Sequence, residues 1–356
     1  PQQVHKVFRN SRIIGRRFQI VHVRFGREII EVSTFRAQHN QQKSTDAGHV
    51  LDDNVFGSFE SDAFRRDFTV NALYYCATDE RVLDPTDQGL NDLASKQLRL
   101  IGDPATRFKE DPVRMLRALR FIAKLGFSIE DQSSKAIDKS RSLLADIPPA
   151  RLFDESIKLF RNGYALASFT ALRKYGVFEI LFPDIEKALL CDSTYYLKFI
   201  ERALINTDKR IRKKQRVTPA FLFAALLWPI LKESEKKQNK SKKNNSFFFN
   251  DNAEKVIHKQ CKRIAIPRRF TLPMKEIWQI QSRLPRRAGN QALKLMENKR
   301  FRAGYDFLLL REDSGEIKPG LGLWWTVFQD SKDTAREEMI KKIEFTTSKS
   351  MKLPKK

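Results

Sequence analysis

The sequence predicts an α/β head, built on an incomplete mixed sheet with helices, followed by an all-α neck, body and C-terminal region. Three observations carry this prediction. From Val4 to about Tyr75, short apolar runs rich in Ile, Val and Phe alternate with polar breaks, the pattern of strands with a helix or two. From Asp111 onward the apolar residues recur at helical spacing, first at Met115, Leu119, Ile122 and Ala123. Between Lys232 and Asn250 the sequence KESEKKQNKSKKNNSFFFN is a low-complexity Lys/Asn stretch and reads as a disordered linker or surface insertion. With 356 residues and 41% hydrophobic content, the chain has the length for two or more domains and too many apolar residues to remain unfolded.

Within the head, Ile29, Ile30 and Val32 form a short apolar run bounded by polar residues and read as a strand that carries Glu31. The stretch from Gln38 to Gly48 has no apolar periodicity and reads as a mobile loop. RRDFTVNAL, from Arg65 to Leu73, sets Arg65, Arg66 and Asp67 directly before Phe68, Val70, Ala72 and Leu73, so charge is concentrated at the mouth of something buried. Asn71 falls inside that apolar run. A buried amide without a partner costs about 1 to 3 kcal/mol, so Asn71 is either a structural clamp or a ligand contact.

In KEDPVRMLRALRF, from Lys109 to Phe121, Asp111 followed by Pro112 reads as an N-cap with proline in the first helical position. Arg114 lies within the same turn. A carboxylate and a guanidinium at the positive end of a helix suit the donor and acceptor edge of a base. From Ala150 to Phe160 the apolar spacing is again helical, with Arg151 and Glu155 as an i,i+4 pair. AFLFAALLWPIL, from Ala220 to Leu231, is broken by Pro229, falls short of the roughly 20 apolar residues that span a bilayer, and reads as a buried helix.

Lys and Arg total 67 against 43 Asp and Glu, a formal charge of +24 that favours a polyanionic partner. The arginines are also locally paired, as Arg16 with Arg17, Arg65 with Arg66, Arg268 with Arg269, and Arg286 with Arg287. Between Arg263 and Arg311 the basic residues, including Arg300 and Arg302, are interleaved with Phe270, Trp278, Phe301 and Tyr305. Such a surface fits the phosphates of single-stranded RNA without reading its sequence. Trp324 and Trp325 read as core. Cys76, Cys191 and Cys261 are too scattered for a disulfide framework or a zinc site, which points to a reducing compartment, and the cytoplasm is the expected location.

The two charged blocks are accompanied by five more in order: GRRFQIVHV from Gly15, IIEVSTFR from Ile29, LDPTDQGLNDL from Leu83, LRLIGDPATRF from Leu98 and PPARLFDESIKL from Pro148. Together they resemble the class II nucleotidyltransferases, the superfamily of bacterial poly(A) polymerases and tRNA CCA-adding enzymes. The resemblance implies a nucleotidyltransferase head over residues 1–100, neck helices over 101–173 that bind the base and RNA, a helical body over 174–231, the linker 232–250, and an arginine-rich RNA-binding region over 251–356. It makes Glu31 the third catalytic carboxylate of a cage for two Mg²⁺ ions. It also places a Gly-rich turn and a D-x-D strand ahead of Pro1, so the chain is expected to be N-terminally truncated and its metal site incomplete.

By the same resemblance Arg66, Asp67, Asn71, Asp111 and Arg114 hold ATP. Arg151 and Glu155 brace the neck, and Arg268, Arg269, Arg286, Arg287, Arg300 and Arg302 lie along the RNA. The implied reaction is template-independent addition of AMP from ATP to RNA 3′ ends with release of pyrophosphate, and RNA-decay proteins are the implied partners. CCA addition to tRNA and a catalytically incomplete RNA-binding fragment are the alternatives. GRRFQIVHVRF and the basic C-terminal region are of the poly(A) polymerase type.

Overall fold

The computed structural model describes residues 1–15, 19–37, 56–191, 193–238 and 246–351. Arg16, Arg17 and the stretch Gln38–Gly48, read above as a loop, lie outside them. The chain divides into two compact units, one of residues 1–114 and 125–137, the other of residues 115–124 and 138–356.

The first unit opens with helix α1 (Gln2–Val7) and an antiparallel sheet of β1 (Ser11–Ile14), β2 (Ile20–Phe25) and β3 (Glu28–Val32) in sequence order. Alternation along β2 turns Val21 and Val23 inward and His22 outward, and register sets His22 opposite Glu31. Among the described residues β3 is the last strand of this sheet, and Ile29 and Ile30 on it are exposed. Helix α2 (Phe59–Arg65) is capped by Ser58, whose Oγ accepts from the Ser61 N–H at 3.2 Å. A 3-10 turn (Thr69–Asn71) leads to the hairpin β4 (Tyr74–Cys76) and β5 (Arg81–Leu83). Helix α3 (Gly89–Ala94) follows, then β6 (Gln97–Leu98), which pairs in parallel with β7 (Ser128–Ile129). Helix α4 (Pro104–Glu110) completes the elements wholly in this unit, and α5 (Val113–Leu125) and α6 (Asp131–Ser140) have residues in both units. Ala63, Ala72 and Ile101 pack under Tyr74, and Phe68 and Phe108 are fully buried.

In the second unit the described residues are helical. They form α7 (Pro149–Phe160), α8 (Ala165–Lys174), α9 (Phe178–Leu181), α10 (Pro183–Cys191), α11 (Ser193–Arg212), α12 (Pro219–Gln238), α13 (Ser246–Cys261), α14 (Arg268–Arg283), α15 (Gln291–Met296), α16 (Phe301–Ser314), α17 (Leu321–Asp330) and α18 (Asp333–Met351). The Lys/Asn stretch 232–250 is therefore not a linker throughout, because α12 runs on to Gln238 and α13 begins at Ser246. Lys232 with Glu235 and Lys236 with Glu233 form i,i+3 pairs that support the helix where composition alone suggests solvation.

α12 keeps Leu222 to Trp228 buried and tolerates Pro229 inside it, as expected for a core helix. No helix among the described residues is long and apolar enough to cross a membrane. The unit's core is strongly aromatic. Phe153 stacks between Phe223 and Phe270, Phe178 meets Phe169 and Phe182, and Phe307 is met by Phe199, Phe221 and Trp228.

α14 and α16 approach closely at Gly304, where a Cβ would strike the Ile280 side chain. Glycine costs a helix about 1 kcal/mol relative to alanine, so propensity alone favours Gly304→Ala. Overpacking a tight contact costs about 1 to 3 kcal/mol and has the opposite sign. We expect Gly304→Ala to lower the thermal midpoint by several degrees; a raised midpoint in a melting experiment would show that Ile280 can give way.

Candidate nucleotide site

The two charged blocks meet in the first unit around two hubs. The first is Asp62, one turn before the end of α2 and only 5% exposed. Its carboxylate accepts from Arg65 Nη2 (2.9 Å), Arg66 Nε and Nη2 (3.3 and 3.1 Å), the Tyr74 hydroxyl (2.8 Å) and the Arg36 N–H (3.3 Å). Helix spacing produces this, since Arg65 and Arg66 stand at i+3 and i+4 from Asp62. Burial pushes the Asp62 carboxyl up, but the hydrogen bonds from Arg65, Tyr74 and Arg66 outweigh it and bring its pKa down to about 2. Burial and the bond to Asp62 push the Tyr74 hydroxyl up to about 12.

Arg66 lies over the Tyr74 ring at 4.7 Å and donates Nη1 to the Asn71 carbonyl at 3.0 Å. Asn71 in turn donates its amide to Asp67 Oδ1 (3.1 Å), which also accepts from the Phe68 N–H (3.0 Å). Of the two roles open to Asn71, the structure shows the clamp. Arg66 pairs with Asp62 rather than with Asp67.

The second hub is Arg107 on α4. Its Nη2 donates to the carbonyls of Arg65 (3.0 Å) and Arg66 (2.7 Å), and its Nη1 to Glu110 Oε2 (2.9 Å). The same Oε2 accepts from Arg114 Nη1 at 2.8 Å, and that nitrogen also donates to the Arg107 carbonyl at 2.8 Å. The bond from Arg114, with the charges of Arg107 and Arg114, holds the Glu110 carboxyl below its ordinary range. Asp111 closes α4 through its N–H to the Arg107 carbonyl (3.3 Å), and its Oδ1 accepts from the Val113 N–H (3.2 Å). With Pro112 between, Asp111 caps α5 as the sequence spacing predicts.

Glu31 lies on β3 with its carboxylate 64% exposed, and its Oε1 stands 3.1 Å from His22 Nε2. The pair is within ion-pair range, although the angle at Nε2 does not make a hydrogen bond. The segment after β3 is tied to α2. The Gly57 N–H donates to the Phe35 carbonyl (3.0 Å) and Ser61 Oγ to the Arg36 carbonyl (3.2 Å). Among the described residues no three His, Cys, Asp or Glu side chains converge on a position that could hold a metal ion.

Asp62, Tyr74, Arg107 and Glu110 are functional candidates that sequence reasoning missed. The signal for Asp62 was present as its i,i+3 and i,i+4 spacing to the arginine pair. For Arg107 the signal was limited to its i,i+3 spacing to Glu110, because its other partners are backbone carbonyls some forty residues earlier in the chain.

In the second unit, Glu155 is buried and paired with Lys158 at 2.7 Å, and Arg151, one turn earlier on the same helix, is exposed. The arginines assigned to RNA divide into two sets. Arg300 pairs with Glu276 (2.6 Å) and Arg302 with Asp306 (3.1 Å), while Arg287 lies over the Trp324 ring at 4.9 Å, its charged form disfavoured by burial. Arg268, Arg269 and Arg286 are exposed and have no acidic partner among the described residues. Trp278, Phe301 and Tyr305 are buried, as is Trp325, while Trp324 is half-buried and stacks on Phe328.

Family profiles match three parts of the chain. They are described as the poly A polymerase head domain over residues 1–99, a probable RNA and SrmB-binding site of polymerase A over 126–189, and the polymerase A arginine-rich C-terminus over 241–356. Poly(A) polymerase I of Haemophilus influenzae is 43% identical over 353 residues, covering 96% of this chain and 77% of the relative. Poly(A) polymerase I of Escherichia coli O6:H1 is 44% identical over 356 residues, covering 97% and 76%. The chain belongs to the bacterial poly(A) polymerase family.

The crystal structure of a Bacillus stearothermophilus CCA-adding enzyme in complex with CTP superposes with a TM-score of 0.58 at 21% identity. It covers 92% of this chain and 69% of that one, a likeness that shows the fold. Poly(A) polymerase membership thus extends through both charged blocks and the arginine-rich C-terminal part. It accords with the fold expected above, a small-sheeted head followed by helices.

The Asp62 hub yields a test of sign. A carboxylate whose folded pKa is depressed contributes stability that is complete above its unfolded value near 4 and is lost as pH falls toward about 2. The contribution is about 2 kcal/mol. In urea denaturation between pH 6 and pH 2.5, wild type should exceed Asp62→Asn most at the upper end, with the gap closing as acid is added. A gap that does not change with pH would remove the ion-pair account of Asp62.

Proposed function

We propose that this protein transfers AMP from ATP to the 3′ ends of RNA without a template, releasing pyrophosphate. The observation that carries this reading is the 43–44% identity to poly(A) polymerases I over 96–97% of this chain. CCA addition rests on likeness of fold and on 32–34% identity to CCA-adding enzymes over 51–55% of this chain, and fold does not select a reaction. The domain reading that goes with the proposal is a head over 1–100, a neck over 101–173, a body over 174–231 and an RNA-binding region over 251–356. The cytoplasm is its proposed location. The family profile over residues 126–189, named for RNA and SrmB, supports proteins of RNA metabolism as partners.

In this reading Arg66 and Asp67 hold the ribose and phosphates of ATP. Three of the five guanidinium N–H groups of Arg66 are spent on Asp62 and the Asn71 carbonyl, which leaves two, already aimed, for the nucleotide. Asp111 and Arg114 read the base. Adenine presents an amino donor beside a ring-nitrogen acceptor, which a carboxylate and a guanidinium complement, whereas guanine presents the reverse. Mg²⁺ belongs to the reading, and Glu31 fits one position in its coordination, being an exposed hard oxygen donor held on a strand. Two such ions supply activation of the attacking hydroxyl and neutralisation of the departing pyrophosphate.

Glu31→Ala in the full-length protein tests the catalytic assignment. Loss of an outer-shell partner of a metal already costs about 10- to 100-fold, so loss of a direct ligand should lower kcat by about 100-fold or more. RNA affinity and the thermal midpoint should stay near wild type, because the side chain is exposed. Steady-state primer extension at wild-type rate would sink the assignment of Glu31.

The RNA surface is tested by salt. Each phosphate contact on a single strand contributes about 0.7 to the slope of log affinity against log salt. Replacing Arg268 and Arg269 together by Gln should therefore flatten that slope by about one to two units, with KM for ATP unchanged. The same replacement at Arg300 and Arg302, whose charges are already paired, should flatten it less. Equal slopes for the two double variants would show that pairing does not decide which arginines meet RNA.

A further inference from the structure

We propose that Arg107 is a positioning residue for nucleotide selectivity, fixing the base-reading pair Asp111 and Arg114 against the segment that carries Arg66 and Asp67. The inference rests on the base-reading role given to Asp111 and Arg114 above. Arg107 joins the two blocks through both its side chain and its backbone. The guanidinium reaches back to the Arg65 and Arg66 carbonyls at 3.0 and 2.7 Å, just before Asp67. The carbonyl of Arg107 accepts from the Asp111 N–H at 3.3 Å and from Arg114 Nη1 at 2.8 Å. Glu110 closes the circuit, its Oε2 taking Arg107 Nη1 at 2.9 Å and Arg114 Nη1 at 2.8 Å.

Both members of the base-reading pair thus hang on one peptide oxygen, and the side chain of the same residue anchors that peptide to the arginine segment. The Arg107 side chain is 14% exposed and that of Arg114 17%, so water does not readily substitute for either set of bonds. Arg107 Nε is buried without a hydrogen-bond partner, a cost the site bears while the two terminal nitrogens keep theirs. Any substitution at this position retains the carbonyl, but only arginine holds it in place. Lysine keeps the charge, yet its single nitrogen cannot span two carbonyls and a carboxylate in the fork geometry of a guanidinium.

ATP and GTP share ribose, triphosphate and purine size and differ at the base edge, so the ratio of their kcat/KM values isolates the reading of that edge. With the full-length enzyme extending an oligoadenylate primer, Arg114→Ala should lower the ATP to GTP ratio by about tenfold or more, because a polar contact made only to the right base is lost. Arg107→Lys should lower the ratio in the same direction. The double variant should fall little beyond the lower single variant, since both substitutions break one arrangement.

An Arg107→Lys enzyme whose kcat/KM falls equally for ATP and GTP would overturn the inference and leave the base-reading role standing. An unchanged ratio in Arg114→Ala would overturn the base-reading role and the inference with it. Should Arg107→Lys melt below the assay temperature, Glu110→Gln cuts the same circuit at a partly exposed side chain. A lowered ratio there supports the inference, and a wild-type ratio overturns it.

Discussion

Two guanidinium groups on consecutive residues repel each other, and the first unit depends on how that repulsion is relieved. Like charges about 4 Å apart near a protein surface cost about 4 kcal/mol, more than most single interactions contribute to stability. Asp62 receives both Arg65 and Arg66 and stays ionised although it is almost fully buried. The Tyr74 hydroxyl and the Arg36 N–H complete its acceptor capacity, so the carboxylate has few lone pairs left unmatched. The consequence is geometric. Arg66 is held on three sides, by Asp62, the Asn71 carbonyl and the Tyr74 ring, and its remaining donors have little rotational freedom.

The same carboxylate reaches the segment that follows the strand carrying Glu31. The residues after β3 lie against α2 through the Phe35 and Arg36 carbonyls and the Arg36 N–H. That approach requires Gly57, where a Cβ would collide with the Ala37 nitrogen and the Arg36 carbonyl carbon. Phe35, Phe59 and Tyr74 then pack edge to face, which puts an apolar floor beneath the charged hub. The Glu31 carboxylate, proposed above for catalysis, lies on a short, exposed strand and would otherwise be poorly fixed. Here its register comes from the cross-strand pairing with His22, and the tether of the following residues to Asp62 limits how far the strand's end can move.

What could be read from the sequence follows from the range of the interaction involved. The strand carrying Glu31, the Asp111 cap with Pro112 and the buried helix containing Pro229 all depend on residues within one or two turns of each other, and each appears in the structure. Asn71 as a clamp was one of two readings, and the partner that decides it, Asp67, is again local. The helical ends of the Lys/Asn stretch were not legible, because composition registers charge and not the i,i+3 spacing that pairs Lys232 with Glu235. Arg107 was invisible for a different reason. Its i,i+3 pair with Glu110 is local, but the acceptors that tie it to the arginine segment are carbonyl oxygens, which every residue has, so no side-chain pattern can mark them.

The formal charge of +24 invites the idea that every arginine in the C-terminal half faces RNA. Position matters more than sum. Arg300 and Arg302 spend their charge on Glu276 and Asp306, and Arg311 is held by Glu316 beside Trp228, so these side chains serve the packing of α14, α16 and the turn after α16. Arg263 donates to the carbonyls of Ile180 and Ala145 and joins the segment before α14 to the ends of two distant elements. Counterion release follows only from charges that begin the reaction solvated and unpaired. By that criterion Arg268, Arg269 and Arg286 remain, being exposed without an acidic partner among the described residues, with Arg269 resting on the edge of an aromatic stack that runs through Phe270 and Phe153 into the core. A phosphate bound there would meet a side chain whose guanidinium already rests on the Phe270 ring, so less conformational entropy is lost on binding than at a free surface arginine.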